Sequence, residues 1–123
     1  MGLTPAPVSP IVHVVVNYSA RHLDLAFGAL AHPIRRGILA RLAMGEATVS
    51  ELARPFNVSP PAISRHMRIL EGAGLLTRRK HGREHHCRLV ETRMQEAQAW
   101  IERRRDVWNA RLDALERYLK ENP

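Results

Sequence analysis

The sequence predicts a mainly α-helical domain that carries one small β-hairpin. Three observations lead there. Apolar residues recur at helical spacing through most of the chain from Leu23 to Lys120. The stretch that breaks this period, residues 75–90, holds two short strand-like runs around a glycine. Breakers fall at the joins: His32-Pro33, Gly45, Pro60-Pro61 and the Gly72/Gly74 pair.

Residues 1–10 contain Pro5, Pro7 and Pro10 among small residues, an extended or flexible lead-in. The run Ile11-Val12-His13-Val14-Val15-Val16 is short and β-branched, so a strand is its local preference. No basic residue precedes it and no A-x-A-like site follows, which disfavours a signal peptide. Residues 1–16 therefore read as an N-terminal arm and 17–123 as the domain. Leu23, Phe27 and Leu30 then open a helix at i, i+4, i+7 spacing. His32 precedes a proline and so avoids the α region, and Pro33 suits the first turn of a second helix. Ile34, Ile38 and Leu42 form its stripe, Arg35, Arg36 and Arg41 lie outside it, and Gly45 is its expected C′ residue.

Thr48-Val49-Ser50-Glu51 is a capping box that opens a short third helix, with Val49, Leu52 and Ala53 inward. Phe56-Asn57-Val58 makes a tight turn. Ser59 caps a fourth helix, with Pro60 and Pro61 in its first turn and Ile63, Met67 and Leu70 facing the core to about Glu71. Leu75 to Lys80 and Glu84 to Val90 pair as strands around a His81-Gly82-Arg83 tip. A last helix spans about Thr92 to Lys120, roughly 43 Å at 1.5 Å per residue. On it Met94, Ile101, Trp108 and Leu115 repeat every seven, with Leu112 and Leu119 one turn along. That seam is too long for so small a domain to cover, which predicts a matching helix from a second copy.

The chain has 123 residues, 45% hydrophobic and 25% charged, as in one ordinary globular domain. This composition excludes a collagen-like or low-complexity chain. No run reaches the ~20 apolar residues of a membrane span. The single cysteine, Cys87, excludes an internal disulfide framework. The net charge is +7, from 19 Lys+Arg against 12 Asp+Glu. Only Lys80 and Lys120 are lysines; every other cation is an arginine, whose planar fork suits phosphates and base edges, although GC-rich coding biases the ratio the same way. Residues 1–32 and 89–123 each sum to zero, so the whole surplus lies in 33–88, the footprint expected for a polyanion partner.

Two short helices joined by a tight turn and followed by a basic hairpin make a winged helix-turn-helix: helix-turn-helix about 48–71, wing 75–90, dimerisation helix 92–120. The helix from Ser59 is narrow enough for the major groove, and its outer face carries Pro61, Ser64, Arg65 and Arg68. Ser64 and Arg65 can reach base edges. Ser59 and the helix start can hold phosphate, although Pro60 and Pro61 remove two donors. Arg78, Arg79, Lys80, His81 and Arg83 on the hairpin can grip phosphates or enter the minor groove.

Three segments resemble the ArsR/SmtB family of bacterial transcriptional regulators: Ala31-His32-Pro33-Ile34-Arg35-Arg36, the stretch from Thr48 to Leu76 (TVSELARPFNVSPPAISRHMRILEGAGLL), and Lys80-His81-Gly82-Arg83 with Cys87-Arg88-Leu89. The resemblance covers about residues 17–120. It implies a homodimer held by the first and last helices, a cytoplasmic location, and repression by occupying operator DNA. On this chain it assigns DNA reading to Ser59–Arg68 and to the wing from Arg78 to Arg83, and the dimer contact to Leu23, Phe27, Leu30, Met94, Ile101, Trp108, Leu112, Leu115 and Leu119. The family's metal sensors carry a C-x-C pair before the recognition helix, or Asp and His ligands on the last helix. Here Thr48 to Arg54 has no cysteine and the last helix no histidine, so the chain resembles a non-metal subgroup.

His85-His86-Cys87 invites a metal, but in a strand His86 faces away from His85 and Cys87. Closing a site would need His81, His66 or a second subunit, and the expectation is no metal and no cofactor. A thiol switch at Cys87 would need a thiolate-favouring setting. His66 reads as packing at the edge of the core stripe with a phosphate-facing nitrogen rather than as a ligand, and Trp100 and Trp108 as interface packing rather than a small-molecule pocket. No catalytic set emerges, so an enzyme is not expected. The expected partners are double-stranded operator DNA and a second copy, with no membrane and with a small-molecule effector left open. The rival readings are a metal- or ligand-responsive sensor of the same family using an atypical site, and a sequence-tolerant architectural protein.

Overall fold

A computed structural model describes residues 10–123. In chain order its elements are α1 (Pro10–Leu30), α2 (Pro33–Leu42), β1 (Ala47–Thr48), α3 (Val49–Ala53), α4 (Pro60–Gly72), β2 (Leu76–His81), β3 (Glu84–Leu89) and α5 (Glu91–Glu121).

The strand expected at Ile11–Val16 does not form; this stretch is the first part of α1. β-Branched residues cost a helix only a few tenths of a kcal/mol each, and each added residue of an existing helix gains a hydrogen bond. Pro10 begins the helix, where its missing N–H would have had no partner. The rest of the expected arm, residues 1–9, lies outside the described residues.

His32 turns the chain out of α1. Its backbone is extended (φ −132°, ψ 132°), as Pro33 demands, and its Nδ1 accepts the Ile34 N–H at 3.1 Å as the cap of α2. The carbonyls at the end of α1 lack intrahelical donors, and two arginines of α2 supply them. Arg35 donates to the Ala29 and Gly28 carbonyls at 2.7 and 3.1 Å, and Arg36 to the Leu30 carbonyl at 2.8 Å. At the other end of α2, Ala43 is the cap, so Gly45 sits one residue beyond the C′ position expected of it.

The capping box at α3 closes in both directions. The Thr48 hydroxyl accepts the Glu51 N–H at 3.1 Å, and the Glu51 carboxylate accepts the Thr48 N–H at 3.3 Å. The backbone bond is the main reason the Glu51 carboxyl titrates below its ordinary range. α4 ends in a Schellman motif: Gly74 N–H donates to the Glu71 carbonyl and Leu75 N–H to the Leu70 carbonyl, with Gly74 at φ +72°. β2 and β3 pair antiparallel from Leu76↔Leu89 to His81↔Glu84. The turn is Gly82-Arg83 with positive φ at Gly82 alone, the type II′ pattern. β1 adds a third strand through Ala47↔Cys87 and Thr48↔His86, giving the order β1-β3-β2. Two residues are too few to show a period, so the sequence carries no signal for this strand.

The core lies where α2, α3, α4 and the sheet meet. Ile38, Leu52, Met67, Leu70, Leu75, Leu76 and Cys87 are fully buried there, and Leu30, Phe56 and Met94 pack against its edges. Phe56, in the turn between α3 and α4, reaches α2 at Gly37, where an added Cβ would stand 2.8 Å from the Phe56 ring. The absent side chain thus sets how closely the helix-turn-helix seats on α2. Gly37→Ala is expected to destabilise the fold by about 1–3 kcal/mol through overpacking. A urea titration checks this as a lower midpoint at unchanged slope.

Candidate nucleic-acid interface

α3 and α4 are held by their inner faces, and this decides what α4 offers outward. Ile63, Met67 and Leu70 are buried, so by helical period Pro61, Ser64, Arg65 and Arg68 form the opposite side. Arg65 and Arg68 are exposed, Ser64 half-exposed, and Ser59, Pro60 and Pro61 stand in solvent at the helix start. The Ser59 oxygen accepts the Ala62 N–H at 3.3 Å, and the Ser59 carbonyl takes the Ile63 N–H at 3.1 Å. With prolines at the first two positions, the start of α4 keeps few free N–H groups for a phosphate. The Ser59 hydroxyl proton remains available to donate.

The wing sorts its cations by face. Arg78 stands opposite Cys87 on the inward side and is bound to the Glu71 carboxylate at the end of α4. It is half-buried and pins β2 to α4. Arg79, Lys80, His81 and Arg83 are exposed. Among the described residues, Arg65, Arg68, Arg79, Lys80 and Arg83 make no hydrogen bond or ion pair. Arg35, Arg36, Arg41, Arg78 and Arg88, in contrast, are engaged with backbone carbonyls or with carboxylates. The basic surplus read from the sequence therefore divides into a structural half and a free half. Arg54, exposed at the end of α3 and with no hydrogen bond from its guanidinium, belongs to the free half and was not singled out from the sequence. It sits in the turn region, where no apolar period points to an outward face.

The His85-His86-Cys87 triplet alternates as a strand requires. Cys87 is fully buried, and His86 lies on the other face, 3.4 Å from Glu84 and with its ring centroid 5.9 Å from that of His81. Among the described residues no three His, Cys, Asp or Glu side chains are grouped to hold a metal ion. Burial pushes the Cys87 thiol up, more than the nearby Arg78 pulls it down.

α5 runs 31 residues, and its two halves differ. In the first half Ala97 is buried, Met94 packs on the core, and Trp100 meets Phe27 of α1 edge-on at 5.7 Å. Leu23, Phe27 and Leu30 are half-buried on the α1 side of this contact. Beyond it, Ile101, Trp108, Leu112, Leu115 and Leu119 continue the Met94 stripe at between 46% and 60% exposure, with Val107 and Tyr118 exposed beside them. Among the described residues nothing covers this stripe.

Residues 30–79 match a family model described as a helix-turn-helix domain. The chain is 47% identical over 62 residues to the HTH-type transcriptional regulator Rv2034 of Mycobacterium tuberculosis, a match covering 50% of this chain and 58% of that protein. It is 35% identical over 79 residues to the transcriptional repressor SdpR of Bacillus subtilis, covering 64% of this chain and 88% of the repressor. The crystal structure of an ArsR family transcriptional regulator superposes with a TM-score of 0.70 at 37% identity, over 73% of this chain and 93% of that one.

The buried thiol yields a direct check on the wing. At pH 8, alkylation of Cys87 by iodoacetamide is expected to run roughly a hundredfold slower in the folded protein than in urea, because the thiol must first be exposed by opening of the fold. Mass spectrometry of timed samples measures this, and equal rates would contradict a sealed sheet.

Proposed function

The chain belongs to the ArsR/SmtB family of transcriptional regulators, and from that premise we propose that it is a sequence-specific DNA-binding repressor acting as a homodimer on an inverted-repeat operator. The observation that carries this reading is the division of the cations. Those on the outer face of α4 and on the wing tip are free, while those around the core are consumed by the fold.

In this reading α4 enters the major groove. Arg65 donates to a guanine edge, Ser64 makes a shorter base or phosphate contact, and Ser59, Pro60 and Pro61 form the leading end against the backbone. Arg68 lies further along the helix toward a phosphate strand. Arg79, Lys80, His81 and Arg83 grip the neighbouring backbone or minor groove, while Arg78 holds the wing in place from beneath. The exposed stripe Ile101–Leu119 takes the same stripe of a second copy, with Leu23, Phe27 and Leu30 bracing α5 from α1. Two copies then present two reading helices about 10 bp apart, which makes the operator an imperfect inverted repeat. A cytoplasmic site of action follows from this role. No residue set points to a particular small-molecule effector.

Three substitutions separate the parts. Arg65→Ala should relax base preference at one position of each half-site, at a cost of about 1–3 kcal/mol on the preferred sequence. Arg79→Ala should weaken binding to all duplexes alike and flatten the salt dependence by about one unit of slope. Footprinting and salt titrations read both; unchanged preference in the Arg65 variant would remove α4 from the reading role. Leu115→Glu should shift the protein from dimer to monomer in light scattering and remove operator binding with it. A variant that remains dimeric would place the interface elsewhere.

A further inference from the structure

His66 projects from α4 between the outward Arg65 and the buried Met67. It is half-buried, and its Nδ1 lies 3.2 Å from the Arg35 guanidinium. A guanidinium only donates, so Nδ1 accepts and the ring is neutral with its proton on Nε2. The same Arg35 side chain donates to the Ala29 and Gly28 carbonyls at the end of α1. The His66 ring also lies against that of His32, the cap of α2, at 4.4 Å between centroids. One side chain thus joins the last turn of α1, the first turn of α2 and the middle of α4.

We propose that His66 is a positioning residue for DNA reading: through Arg35 it fixes α4 to the C-terminal end of α1, so that the helix bracing α5 and the helix facing the bases move as one body. The proposal rests on α4 being the reading helix. It acts beside the apolar packing of Ile63, Met67 and Leu70, which holds α4 to the core. The hydrogen-bonded acceptor at position 66 adds a directional tie to the α1–α2 corner.

Only neutral His66 can accept from Arg35. Burial first, then the charges of His32 and Arg35 at the α1–α2 corner and of Arg65 on α4, hold its pKa below the ordinary 6.5. The folded state therefore binds this proton less readily than the unfolded chain. The contribution of His66 to stability is intact above the unfolded pKa and is lost as pH falls through it toward the folded value. The tie to Arg35 itself breaks below the folded value.

The test uses the full chain and a duplex selected by the wild-type protein from a random pool, beside a scrambled duplex of equal length. At pH 8, His66→Ala should lose roughly tenfold in affinity for the selected duplex and little for the scrambled one. His66→Gln, whose side-chain carbonyl can accept from Arg35 without titrating, should recover most of that loss. Arg35→Lys keeps the charge but replaces the planar fork, whose three nitrogens each meet a separate acceptor, with a single nitrogen, and should behave like His66→Ala; it also carries the test if the alanine variant fails to melt as a folded protein. From pH 8 downward the ratio of wild-type to His66→Gln affinity should stay level past the ordinary 6.5 and fall only below it, where folded His66 takes up its proton. The wing histidines are common to both proteins and drop out of that ratio. Full discrimination in His66→Ala, a glutamine variant as weak as the alanine one, or a ratio constant across pH would overturn the positioning role alone. A wild-type protein that selects no sequence would overturn the DNA reading on which it rests.

Discussion

The end of a helix leaves carbonyls that its own backbone cannot satisfy, and in this chain that constraint is met by two arginines from the next helix. Gly28, Ala29 and Leu30 each receive a guanidinium N–H from Arg35 or Arg36. The negative end of the α1 dipole meets the same two cations. The direction in which α2 leaves α1 is fixed there, and α2 supplies Ile38, Leu39 and Leu42, the wall on which α3 and α4 pack. Pro33 allows the turn, His32 caps it, and the arginines lock it. Each is local in sequence, yet together they set where the reading helix stands relative to the helix that braces α5.

The same residue type does opposite work a few positions away. Arginine at 35, 36 and 78 is spent on carbonyls and on Glu71, whereas arginine at 65, 68, 79 and 83 is left to solvent. Position within an element decides which. Arg78 falls on the strand face that carries Cys87 and Leu76, so it is drawn toward the core and needs a carboxylate there. Its neighbour Arg79 falls on the other face and needs none. A period of two separates a structural cation from a free one, and the electrostatic surplus at the surface is smaller than the formal charge of the segment.

Much of this was legible in the residues. The capping box at Thr48–Glu51, the Ser59 cap and the Gly82 turn depend on interactions spanning four residues or fewer, and the buried stripe of α4 shows in its helical period. The exceptions are informative. Ile11–Val16 favours a strand locally, yet it joins α1, because continuing a helix costs less than starting a separate element. β1 exists only because β3 offers an edge to Ala47 and Thr48 from forty residues downstream, roughly, and no local pattern encodes that. Arg35 and His66 read as a surface charge and a packing residue; their contact forms only once α2 and α4 are docked.

The charge distribution explains how one fold can accommodate a second copy and a polyanion together. Residues 89–123 carry seven groups of each sign, so α5 brings no net repulsion to the proposed dimer, and its apolar stripe can govern the contact. The surplus of +7 sits entirely in 33–88, away from that stripe. In the proposed dimer, doubling the chain therefore doubles the attraction for a polyanion without setting the two proposed reading heads against each other at the seam. Screening at physiological salt limits each head's repulsion to about 8 Å, well short of the separation between half-sites one helical turn apart. Placing the net charge on the reading segment and a balanced charge on the seam is what allows the two associations to strengthen each other.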